Sequence, residues 1–84
     1  MDTSQTIHYP LLEQIIRIQS KPLQPLYSNR DLAEIFRVSV RAIQHRIAAG
    51  RLIPRDLPAR AKFLPQDIED FLVASRVQSK KAHH

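Results

Sequence analysis

Arg41, Gln44, His45 and Arg46 lie within six residues of one another in this 84-residue chain. Guanidinium, carboxamide and imidazole groups can hydrogen-bond phosphate oxygens and base edges. Arginine matches guanine O6/N7 and glutamine matches adenine N6/N7 in the major groove. Such chemistry needs a rigid carrier. A helix of about three turns fits a groove roughly 12 Å wide, and two short helices joined by a tight turn put the second helix there.

Residues 28–50, SNRDLAEIFRVSVRAIQHRIAAG, have the local signals of that pair. Ser28 can cap the first helix, with Asp31 three residues on completing a capping-box-like pair. Leu32, Ala33, Ile35 and Phe36 supply an apolar face at helical spacing. Arg37, Val38 and Ser39 form the expected turn, with Ser39 the cap of the next helix. Val40, Ile43 and Ile47 should face inward, leaving Arg41, Gln44 and His45 outward. Gly50, the sole glycine, stands where a helix end calls for positive φ.

Charge distribution agrees with a phosphate-bearing partner. The formal net charge is +5. Residues 37–62 hold seven basic side chains (Arg37, Arg41, Arg46, Arg51, Arg55, Arg60, Lys62) and the single acid Asp56, whereas 66–71 hold three acids and no base. A solvated basic surface is the plain alternative, since high pI alone is weak evidence. There is no cysteine, so disulfide and thiolate-metal sites are excluded. No run approaches the roughly 20 apolar residues of a membrane span, and no signal-peptide pattern opens the chain; a cytoplasmic, nucleoid-associated bacterial protein is expected.

After the helix pair, residues 52–55 and 61–64 read as two short antiparallel strands around a proline-containing loop, a wing whose tip offers Arg55, Arg60 and Lys62. Pro54 cannot donate to a ladder, so the pairing must be short or at an edge. Pro65 then opens a last helix, with acids near the positive end of its dipole, Ile68, Phe71 and Leu72 inward, and Ser75 a further candidate for that face. Pro10 stands at the start of an N-terminal helix bearing Leu11, Leu12, Ile15, Ile16 and Ile18. That helix either covers the core or contacts a neighbouring molecule. The expected organisation is an N-terminal helix and Pro-containing connector (1–26), a winged helix-turn-helix (27–75) and a basic, disordered tail (76–84). The fold class is mainly α with a small β-ribbon.

Residues 28–75 resemble the small winged-helix domains of the excisionase family, also called recombination directionality factors, within the MerR-like superfamily. The matching segments are SNRDLAEIFRVSVRAIQHRIAAGRL and FLPQDIEDFL. The family pattern is a first helix of the form D-x-A-x-x-φ (Asp31 to Phe36), then V-S, a recognition helix ending in glycine, a basic wing and a P-x-x-D-φ-x-x-φ-L helix. Two positions depart from it: Gln44 stands where an aromatic is common, and the wing has no glycine. The resemblance implies a protein that binds and bends attachment-site DNA, associates with further copies of itself there, and directs an integrase (a tyrosine recombinase) toward excision. A small transcriptional regulator of a phage, plasmid or integrative element is the alternative on the same fold. A module whose basic face meets an acidic protein is a third class.

Roles divide by position. Arg41 and Gln44 are the candidates for base edges, with phosphate contact the competing role for Arg41. His45 can touch base or phosphate or be a plain surface residue, and Arg46 can stack its stem on the core. Val40, at the start of the same helix, is also counted among the DNA-contacting residues. Ser28, Asn29, Arg30, Arg37 and Ser39, near helix ends, can position the DNA backbone. Arg55, Arg60 and Lys62 can hold phosphates from the wing. No cofactor, metal or small-molecule substrate is expected, because the histidines show no ligand spacing and no phosphate loop or nucleophile motif occurs.

Overall fold

Pro10 opens α1 (Pro10–Ile18) at a position where its missing N–H costs nothing. The computed structural model describes residues 8–76 and contains three further helices, α2 (Asn29–Phe36), α3 (Val40–Ala48) and α4 (Pro65–Ala74). The capping chemistry forms as expected. Asp31 N–H donates to Ser28 Oγ at 3.1 Å, and Ser28 N–H donates to Asp31 Oδ2 at 2.9 Å. Ala42 N–H donates to Ser39 Oγ at 3.0 Å, starting α3.

The first three helices end in the same way. Lys21 N–H reaches back to the Ile16 carbonyl (2.8 Å), Val38 N–H to that of Ala33 (2.9 Å) and Arg51 N–H to that of Arg46 (2.9 Å). The residue before each donor is left-handed: Ser20 at φ 57°, Arg37 at 59° and Gly50 at 79°. This is the six-to-one closure that satisfies orphan carbonyls at a helix end. Only Gly50 announces it by residue type.

The core joins Leu12 and Ile16 of α1, Leu32 and Ile35 of α2, Ile43 of α3 and Ile68 of α4 to Tyr27, Leu52 and Phe63 from the connections. Of the two roles open to the N-terminal helix, covering the core is the one found: Leu12 is fully buried. Phe36 and Phe71 meet with ring centroids 6.0 Å apart, closing the end of α2 over α4. Gln19 Nε2 donates to the Ile35 carbonyl at 2.7 Å and ties the end of α1 to α2.

The strand pair expected at 52–55 and 61–64 forms no ladder. Among the described residues, one backbone bond joins the two runs, Arg55 N–H to the Lys62 carbonyl at 2.8 Å. The reason is donor supply. Leu52 N–H is taken by the Arg46 carbonyl at the end of α3 (3.3 Å), and Pro54 has no N–H. Phe63 instead pairs with Tyr27 in an isolated antiparallel bridge, tying the second run to the segment before α2. Between the runs lies a turn at Pro58–Arg60 in which Ala59 (φ 59°) and Arg60 (φ 64°) are both left-handed. Within the described residues no helix is long and apolar enough to cross a membrane. Of the tail expected to be disordered, 76–84, all but Arg76 lies outside the described residues, as do 1–7.

Candidate nucleic-acid interface

Ile43 anchors α3. It is buried, Ile47 is half-buried against the same cluster, and α3 packs chiefly on α2. Val40, expected inward with them, is 37% exposed. It is the first residue of α3, and Val38 just before the helix is exposed as well. At about 100° per residue, the direction opposite Ile43 and Ile47 falls on His45. Arg41 lies to one side of His45 and Ala49 to the other. Gln44 and Arg46 occupy the two flanks. All of Arg41, Gln44, His45 and Arg46 are exposed. The expected outward set is therefore presented together, with His45 at its centre.

The remaining candidates divide by what holds them. Ser28 and Ser39 are committed to capping, as described above. Asn29 is half-buried and its Oδ1 is buried without a partner among the described residues. Arg30 and Arg37 are exposed at opposite ends of α2, and Arg60 is exposed in the turn ahead of half-buried Lys62.

Arg55 has a different occupation. Its Nε and Nη2 donate to Asp67 Oδ2 and Oδ1 at 2.6 and 2.9 Å, a two-pronged pair between the connection and α4. Asp67 raises the Arg55 pKa above its ordinary value. Hydrogen bonding from Arg55 holds the Asp67 carboxyl below the usual carboxylate range, against an opposing effect of burial and with help from the Leu64 amide. Asp67 also accepts that Leu64 N–H, at 2.8 Å, so it caps α4 as well. Arg55 thus reaches the surface with its charge already matched.

The three acids of 66–71 do separate work. Asp67 serves Arg55 and the α4 cap, and Asp70 accepts from Gln66 Nε2 at 2.8 Å. Glu69 is buried and accepts the Leu12 and Leu11 amides at 2.9 and 3.1 Å, capping α1 from across the fold. Dipole stabilisation of α4 alone, the reading from sequence, does not describe Glu69. Its signal was its register: Glu69 follows Ile68 on the packed side of the helix.

Arg51 was absent from the expected contact set, yet it lies beside α3. The closure at Gly50 turns the chain back and leaves Arg51 next to His45 and Arg46 around a groove of about 340 Å³. The glycine followed by arginine was the available sign. Among the described residues, the ion-paired arginines are Arg17 and Arg55, and no group of three or more His, Asp or Glu residues is placed to hold a metal ion. No protein-family model, curated protein or solved structure matches this chain.

Proposed function

We propose that the outer face of α3 binds double-stranded DNA sequence-specifically, with Arg41 and Gln44 toward base edges and His45 and Arg46 toward base or phosphate. One observation carries this reading. Arg41, Gln44, His45 and Arg46 project together from a helix whose opposite side is fixed by Ile43, and neither arginine has a carboxylate partner among the described residues. Unpaired cations on a rigid rod keep their charge available for phosphate, where counterion release drives association. Residues 52–64 act as the wing, with Arg60 and Lys62 as its phosphate contacts, giving a winged helix-turn-helix.

The biological role is that of an excisionase, on the strength of the motif resemblance across 28–75. Bending a site of 20–30 base pairs by 40–90° costs on the order of 1–6 kcal/mol, so neighbouring copies and several charged contacts must offset it. Footprinting across an attachment site beside an integrase gene tests the role. Repeated protection phased with the DNA helix is expected. A single protected site at a promoter would assign transcription control to the same fold instead.

A further inference from the structure

The groove beside α3 has a lining of one kind. Its floor is methyl groups, Ala42 and Ala49, and its walls are His45, Arg46 and Arg51. Cationic donors and apolar surface are present, with no carboxylate in the lining to repel a phosphate. The two guanidiniums come from different parts of the chain. Arg46 is held by the helix itself, and Arg51 is delivered by the left-handed turn at Gly50, where Arg51 N–H bonds the Arg46 carbonyl at 2.9 Å and Gly50 N–H bonds that of Ile47 at 3.0 Å. Neither guanidinium is in an ion pair among the described residues.

We propose that this groove seats the sugar–phosphate backbone of one DNA strand, with Arg46 and Arg51 on non-bridging phosphate oxygens and the Ala42 and Ala49 methyls against the deoxyribose. The assignment rests on the DNA-binding reading of α3 and deepens it by dividing the helix surface. The Arg41 side meets base edges, and the Ala49 side meets backbone. Alanine matters here because a methyl lets the strand approach, whereas a longer side chain would hold it off. A planar guanidinium matches the fork of phosphate oxygens, and charge complementarity between this wall and the strand supplies the attraction.

Fluorescence anisotropy on a labelled random-sequence duplex, over a series of salt concentrations, tests the assignment. Arg51→Ala should weaken binding about tenfold on every duplex and flatten the plot of log affinity against log salt by about 0.9. Ala49→Leu retains every charge and fills the groove, and it should also weaken binding at least about tenfold. Both positions are exposed, so thermal melts of the variants should match wild type. Wild-type affinity in Ala49→Leu overturns the groove, whatever Arg51→Ala does, because then charge alone is at work. If wild type binds duplex and both variants bind equally well, the groove is wrong and the α3 reading stands. If wild type binds no duplex, both fall together.

Discussion

Glu69 and Leu12 are 57 residues apart in the chain, and the Glu69 carboxylate accepts the Leu12 amide at 2.9 Å inside the fold. A side chain from α4 therefore completes the N-terminus of α1. The N-terminal helix is tied to the domain through its least satisfied end, where amides have no partner within the helix. Removing that acceptor strips the partner from the buried Leu12 amide and from the part-buried Leu11 amide. Glu69→Ala should lower unfolding free energy by about 2 kcal/mol. Exposed Glu34→Ala should stay within about 0.5 kcal/mol. Urea denaturation followed by circular dichroism measures both; equal effects would remove Glu69 from its capping role.

Acid should weaken the join between α4 and the connection at 55. The Asp67 carboxyl is held below the usual range by hydrogen bonding from Arg55, so its folded pKa lies below its unfolded one. A depressed carboxyl contributes stability that is present above the unfolded value, about 3.9, and is lost as pH falls through the folded value. The thermal midpoint of wild type should exceed that of Asp67→Asn at neutral pH, and the two curves should converge below about pH 4. Parallel curves down to pH 2 would show that the pair contributes nothing.

Backbone handedness at helix ends predicts opposite signs at two positions. An added Cβ at Gly50 meets nothing within 4 Å, so the cost of Gly50→Ala comes from its φ of 79° alone, about 1 kcal/mol. Arg37 holds φ 59° with a full side chain, so Arg37→Gly should be neutral or stabilising by up to about 1 kcal/mol. Calorimetric melts read both. A loss at Arg37→Gly as large as that at Gly50→Ala would mean that the Arg37 side chain holds the turn.

Base reading and phosphate holding separate by specificity. Arg41→Ala should cost about 1–3 kcal/mol on a selected site and much less on random duplex, whereas Arg60→Ala should weaken all sequences alike and reduce the salt slope by about one. Equal losses on both duplexes for Arg41→Ala would move it from bases to phosphate.

The helices were legible because their signals are local. Ser28, Asp31 and Ser39 fix starts by hydrogen bonds three residues long, and Pro10 and Pro65 mark first turns. Ile43 and Ile47 face inward as their spacing indicates. What escaped was non-local or lacked a marked residue type. Pro54 limits the ribbon by residue type, and the Leu52 N–H is spent locally on the Arg46 carbonyl where α3 closes, but the pairing of Phe63 with Tyr27 depends on the assembled core. Ser20 and Arg37 are left-handed without being glycine. Arg55 looked like a free wing cation because Asp67, twelve residues on, comes near only after α4 has packed. On the candidate interface, the outward set was legible from periodicity, while Arg51 required the turn geometry at Gly50.

Salt dependence of duplex binding is the most direct measure of whether the basic surface formed by α3 and the residues after it meets DNA phosphate. With Arg46, Arg51, Arg60 and Lys62 each on a phosphate, log affinity should fall against log salt with a slope of about −3.6. A flat dependence, or no binding to any duplex at low salt, would contradict the account.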